Sequence, residues 1–568
     1  MRHRWFSVIL LWMAPVCFLL LFYFYPMVSI LQLSLARSQA GLLSSFIEAI
    51  NSPTTWRVLG FTFWQAVLST IFTLALGLPG AYLFAHYKFR GKSVLKAMTG
   101  IPFVMPTLVV AAAFNALLGS NGWLNIGLMQ LFNLSGPPIQ FTNTLTAILV
   151  AHVFYNTTIV LRMVGDFWSH LDPRLGQAAR MLGANRWQAN LWVTLPLLVP
   201  AIAAASLLVF IFDFTSFGVI LLLGGPRFAT LEVEIYYQTI SPFNLPMAAV
   251  LSIIQLVCTL GLTVIYTQLI KRLSIPLALK SRQVTHHRLS SPRSKLVAGV
   301  IIITLLTLLT LPLTALAVRS VIRLEPNRGE QSVTTPGFTL DFYRNLGSNS
   351  NNSIFFAPPS TAIAVSLGYA LATTLLALAL GIPAALALSR EVTSPINQGL
   401  DAILMLPLGT SAVTLGLGFI VALNKPPLDL RSSWILVPLA HTLVAFPFVV
   451  RNLTPALRSI RPRMRQAATL LGASPGKVLW FIDTPLIARS LLVAATFAFT
   501  ISLGEFGATS LLARPEYPTV PVAIYRLISR PGEINYGQAL ALSTILMLVA
   551  GAGMLLIDRM RIGDIGEF

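Results

Sequence analysis

The 568-residue chain is short of most things that soluble enzymes use. Only 10% of its residues are charged and 19 are acidic. Its two cysteines, Cys17 and Cys258, both lie inside apolar runs. Such a pair excludes a disulfide framework and a cysteine-based metal site. The sequence has no DxD pair, no HExxH and no evident Ser/His/Asp set, which argues against a membrane-surface hydrolase. A phosphate-cradling loop is missing too. Gly91-Lys92-Ser93 supplies the tail of a P-loop, but His86 stands where its first glycine belongs, and Gly476-Lys477 is followed by Val478.

Apolar residues fill the space left by charge. They make up 55% of the chain, and mean hydropathy is +0.76. These values place the protein among integral membrane proteins. A spanning helix needs roughly 20 apolar residues. Twelve stretches qualify: about 6–34, 57–86, 96–118, 143–165, 197–224, 246–270, 297–322, 361–389, 399–423, 433–454, 487–513 and 537–557. They read as helices, because barrel strands would be shorter and would alternate. The first run is longer than a signal peptide, so it reads as a retained span.

Twelve spans put both termini on one side. The loops on that side hold 27 of the 39 basic residues, which predicts cytoplasmic N- and C-termini. The net charge of +20 is then mostly an orientation signal, and nucleic acid is not an expected partner.

The segment QAARMLGANRWQANLWVTLP, residues 177–196, is polar within this apolar chain, and QAATLLGASPGKVLWFIDTP follows 289 residues later. The register holds well beyond these segments. Ala151-His152 matches Ala440-His441, Arg162 matches Arg451, Phe217-Gly218 matches Phe506-Gly507, and Ile235-Tyr236 matches Ile524-Tyr525. Upstream the offset becomes 304, where Gly77 and Pro79 match Gly381 and Pro383. The chain is therefore a tandem, parallel repeat of six spans plus six, expected to pack about an axis along the membrane normal. The first half covers 1–272 (core about 57–268) and the second 295–568 (core about 361–557). The basic stretch 273–294 reads as a cytoplasmic linker. A low-complexity patch lies at 347–353.

Each polar segment reads as helix, glycine turn, helix on the cytoplasmic side. Gly183 and Gly472 suit a left-handed cap, and Trp187 and Trp480 offer apolar knobs. Helices resting on lipid headgroups would look similar. Headgroups do not require a fixed spacing, however, whereas a structured protein partner does.

The segments resemble the EAA loop of binding-protein-dependent ABC importer permeases, on the Q-A-A, the glycine and the hydrophobic run ending in proline. The likeness covers nearly the whole chain. It implies an all-α type I permease fold and a coupling role for Gln177, Ala178, Ala179 and Gly183, and for Gln466, Ala467, Ala468 and Gly472. It also implies a separate ATPase subunit, in two copies, that binds ATP and Mg. This chain itself would hold no cofactor. An extracytoplasmic binding protein would deliver the solute, and the location would be a bacterial inner membrane. Gln177 and Gln466 replace the motif's glutamate, keeping hydrogen bonding but losing charge. A single polypeptide with both halves looks most like the thiamine and ferric-iron importers of that family, and FTSFGVILLLGGPRFATLEVEIYYQ resembles the thiamine type in particular. A secondary transporter is the remaining alternative, although it has no need of doubled docking loops.

Ionisable groups inside spans mark functional positions by default. Asp213 lies in span five and Glu505 in span eleven, where it matches Ser216. These three either face the translocation pathway near an outer gate or cap helix ends at the outer water interface. His152 and His441, at equivalent positions, are expected to hydrogen-bond a neighbouring helix.

Overall fold

Apolar runs of this length have one stable form in lipid, since only a helix satisfies every backbone group within the run. The computed structural model describes residues 2–35, 44–240, 244–273, 287–288, 291–323, 337–347, 357–390, 395–424 and 428–561. Among these, eleven helices are long and apolar enough to cross a membrane. In the first half they are Leu11–Leu35, Pro53–His86, Thr107–Phe132, Leu145–His170, Trp187–Phe214 and Leu245–Leu269. In the second they are Pro292–Arg319, Pro359–Ser389, Leu436–Ser459, Pro475–Gly504 and Glu533–Met560. The stretch expected as span nine is a helix pair bent by 96° between Asn397–Gly409 and Ala412–Ala422, the geometry of a broken span or a re-entrant loop. The fold is all-α and multi-pass, as expected. Of the expected linker, residues 274–286 and 289–290 lie outside the described residues, as do 348–353 of the low-complexity patch.

Three span boundaries depart from the hydropathy reading. The expected span 96–118 is split into Lys92–Val104 and Thr107–Leu118. Pro106 has no N–H and forces Met105 into extended backbone, with ψ 134°, so the helix cannot continue. Spans five and eleven, expected at 197–224 and 487–513, start earlier and end sooner. The short helices Arg186–Ala189 and Pro475–Val478 do not stop before the span. Each runs through one π-turn, Asn190–Thr194 or Leu479–Asp483, straight into the spanning helix. The wider π-turn gives the rings of Pro196 and Pro485 room at the carbonyls they would otherwise strike. At the far end both spans break at the acid-bearing segment. Short buried helices follow: Gly218–Leu223 and Leu231–Ile240 in the first half, Gly507–Leu512 and Val520–Ile528 in the second.

The repeat is reproduced in packing. A Cβ at Gly77 would fall 2.7 Å from Val160, and one at Gly381 would fall 2.5 Å from Val449. Both contacts join spans at equivalent positions, two to four and eight to ten. The glycines of the ALGLPGA and ALGIPAA segments are there because the helices touch at them. Helices Pro53–His86 and Pro359–Arg390 run through Pro79 and Pro383 unbroken.

The boundary between halves in sequence is not the boundary in packing. Span one lies on the second half, where Trp12 Nε1 donates to Asn397 Oδ1 at 3.1 Å and Tyr23 Oη meets Thr410 Oγ1 at 2.7 Å. Span seven, Pro292–Arg319, packs reciprocally on Thr107–Leu118 of the first half. Each half thus clasps the other with its first helix, and one large apolar core includes residues of both.

Candidate functional site

The two polar segments fold alike. Pro173–Met181 and Pro462–Leu470 are nine-residue helices, each with proline in its first turn, where its missing N–H costs nothing. Gly183 and Gly472 then take φ of +94° and +83°. Around them the backbone bonds repeat. Ala184 N donates to Ala179 O at 3.1 Å and Ala473 N to Ala468 O at 3.0 Å, the six-residue closure of a Schellman cap. In the first copy Asn185 and Gln188 cap the next helix reciprocally, at 2.8 and 2.9 Å.

The cap decides what is displayed. Gln177, Ala178, Gln466 and Ala467 are exposed, whereas Ala179 and Ala468 are half-buried. Met181-Leu182 and Leu470-Leu471, immediately before the glycines, are each 89% exposed. These two apolar pairs form equivalent ridges that none of the described residues covers. Trp187 and Trp480 are exposed but are not equivalent in the repeat. The matched aromatic pair is Trp192 and Phe481, both 75% exposed. One difference separates the copies. Arg465 Nε donates to Asp483 Oδ1 at 2.7 Å and its Nη2 to Leu457 O at 3.3 Å, pinning the second segment to its span. The first copy has Gly176 and Thr194 at those positions.

Asp213, Ser216 and Glu505 are brought together with the two histidines. His152 Nδ1 lies 3.3 Å from Asp213 Oδ1 and 3.0 Å from Ser69 Oγ, while Nε2 lies 2.9 Å from Ser216 Oγ. His441 Nδ1 meets Ser502 Oγ at 2.7 Å, while Nε2 meets Glu505 Oε2 at 3.1 Å and Thr509 Oγ1 at 2.7 Å. Asp213 also accepts from Asn156 at 2.6 Å, and Glu505 accepts from the backbone N–H groups of Ala508 and Thr509. In repeat register Asp213 matches Ser502 and Ser216 matches Glu505. Acid and hydroxyl have exchanged places about an unchanged histidine.

Of the two expected settings, pathway or outer water interface, the burial of both acids does not fit the water interface. Asp213 is 1% and Glu505 7% exposed, and each is engaged by the histidine of its own half. The pairs hold the break between each span and its following short helix. The histidines do bond to neighbouring helices as expected, through Ser69 on span two and through Ser502 on span eleven, which itself meets Thr373 at 3.2 Å. Ser69 and Thr373 differ by 304, so the upstream repeat register already held this signal.

Beside these clusters the halves meet. Phe217 and Phe506, register-equivalent, stack with centroids 5.4 Å apart and planes inclined by 20°. Tyr236 and Tyr525 flank them at 5.3 and 5.6 Å. Glu232 of the first half, buried, accepts from Ser411 Oγ of the second at 2.5 Å. Sequence reading missed Glu232 because its helix is too short to register as a span.

The chain is similar to known transport permeases. Residues 74–275 match the family described as the binding-protein-dependent transport system inner membrane component. The chain is 28% identical to the thiamine transport system permease protein of Brucella suis biovar 1, with 93% of this chain and 91% of that protein covered. The same named protein of Escherichia coli K12 is 28% identical, with 83% of each covered. A probable ABC transporter permease protein of Sinorhizobium fredii is 25% identical over 99% of this chain and 97% of its own length. Among solved structures, a bacterial ABC transporter involved in alginate import matches with 18% identity and a TM-score of 0.42, covering 48% of this chain and 98% of that one. The family match lies in the first half, the repeat extends its pattern to the second, and the chain is similar to fused transport permeases along nearly all its length.

Proposed function

We propose that the protein is the membrane permease of an ATP-driven importer that passes thiamine from an extracytoplasmic binding protein into the cytoplasm. The observation that supports the energy coupling is the doubled, glycine-capped segment. Two equivalent apolar ridges, Met181-Leu182 and Leu470-Leu471, stand 89% exposed at a fixed distance from a rigid turn. Lipid binding needs no such duplication of backbone geometry. A groove on each of two ATPase subunits would bury one ridge apiece, with ATP and Mg held by those subunits. The basic loops on the same side support a cytoplasmic position for both segments and both termini.

Thiamine is favoured as the solute by the full-length likeness to permeases of that name. Ferric iron is the alternative solute. The deciding experiment reconstitutes the chain with its ATPase and binding protein in proteoliposomes and measures uptake of labelled thiamine and of ferric iron. ATP-dependent thiamine accumulation is expected. Uptake of iron alone would replace the solute, and uptake without ATP or an ATPase would reject the importer reading altogether.

A further inference from the structure

The repeat leaves one buried carboxylate unexplained. Glu232 is 1% exposed, and its register-equivalent in the second half is Pro521. It reaches across the boundary between halves to Ser411, at the N-terminus of Ala412–Ala422. No ion pair among the described residues involves it, and Glu505 lies near enough to interact with it electrostatically. A carboxyl group in an apolar interior with an acid for a neighbour and no cation is expensive, and such groups persist where they serve a solute.

A second observation points the same way. Gln255 is also 1% exposed. Its Oε1 accepts from Thr414 Oγ1 at 3.4 Å, and its side-chain amide, buried, also interacts with the Glu232 carboxyl group. Phe217 and Phe506, one from each half, present their faces to each other at the same boundary. Phe506 follows Glu505 in sequence, and Phe217 touches Tyr236 one turn from Glu232.

We propose that Glu232, Gln255 and the Phe217–Phe506 pair form a passing site, at the boundary between the halves, for a flat organic cation bearing a ring-nitrogen acceptor. This rests on the thiamine reading, whose solute joins a thiazolium cation to an aminopyrimidine. When the halves part, the phenylalanine faces that now stack on each other take the cationic ring between them. Glu232 gives up Ser411 and becomes the counter-charge. Gln255 Nε2 donates to the ring nitrogen. Because Pro521 replaces the acid in the other half, the pseudo-symmetric boundary holds one such site and the solute has one orientation.

The test uses the full chain with its ATPase and binding protein in proteoliposomes, with thiamine uptake divided by the amount of chain inserted. Glu232→Gln is expected to lower uptake by about tenfold or more, since it removes the counter-charge from a desolvated pair. Glu232→Asp, and Ser411→Ala, which deletes the closed-state bond but keeps the charge, are expected to stay within about threefold of the original. Equal damage from Ser411→Ala and Glu232→Gln would mean that the two residues merely interlock the halves, and would overturn the proposal. So would undiminished uptake by Glu232→Gln. If Glu232→Gln does not insert, Ser411→Ala alone decides: near-normal uptake supports the charge role and a loss of about tenfold overturns it. An unaltered chain that imports iron but no thiamine rejects the solute reading itself, which these variants leave untouched.

Discussion

His441 Nε2 lies 3.1 Å from Glu505 Oε2, with both side chains buried. The equivalent His152 pairs with an acid that sits three residues earlier in its own register and approaches through the other ring nitrogen. One imidazole position therefore serves two acid placements, because a histidine offers a nitrogen on each side. What is retained is a buried acid–imidazole contact at the point where the span breaks. Glu505 shows why the break needs it, as its carboxylate accepts the first N–H groups of helix Gly507–Leu512.

From this contact comes a stability prediction. Removing His441 takes one partner from Glu505, which keeps its bonds to Ala508 and Thr509, so His441→Leu should destabilise the purified chain by about 1–3 kcal/mol. His441→Leu with Glu505→Leu should recover part of that loss, as the acid that lost its partner is gone. Thermal unfolding in detergent measures both. Additive losses in the double variant would show that the contact contributes nothing of its own.

The glycine caps make a separable prediction. Gly183→Val and Gly472→Val place branched residues at φ of +94° and +83°, each costing about 1–2 kcal/mol. The Cβ atoms would meet nothing within 4 Å, so insertion and the membrane core should be unaffected. The exposed ridges should swing away from their register. Co-purification of the ATPase and substrate-stimulated ATP hydrolysis should both fall, and normal stimulation in the double variant would reject the docking role.

The second segment is tied to its span by an ion pair. Asp483 is 3% exposed, and breaking its bond to Arg465 by Asp483→Asn should cost about 1.5–3 kcal/mol locally. Hydrogen exchange of 462–483 should rise, while that of the equivalent 173–194 stays as before. A rise of equal size in both would show that the segments are not independently held.

Close approach of spans two and four, and of eight and ten, predicts a compensating pair. Gly381→Ala sets a methyl group about 2.5 Å from Val449 and should cost roughly 1–3 kcal/mol by overpacking. Val449→Ala in the same chain should restore much of it. If Gly381→Ala alone leaves the melting temperature unchanged, the helices are not in contact there as described.

Much of this architecture was legible in the residues alone. Span number, all-helical class, the six-plus-six repeat and the two glycine turns follow from local rules: apolar length against bilayer thickness, proline and glycine backbone limits, and a constant register of 289. Trp187 and Trp480 are exposed as expected of apolar knobs, although the register of 289 matches Trp192 with Phe481; the π-turns that join each short helix to its span leave no hydropathy signal. Only the tertiary structure decided which groups meet. That Asp213 and Glu505 face histidines and not water, that each first span crosses to the other half, and that Glu232 reaches Ser411 are contacts between residues 61 to 387 positions apart. No local preference encodes them. They are settled when buried polar groups in a low-dielectric interior must find partners, wherever in the chain those partners lie.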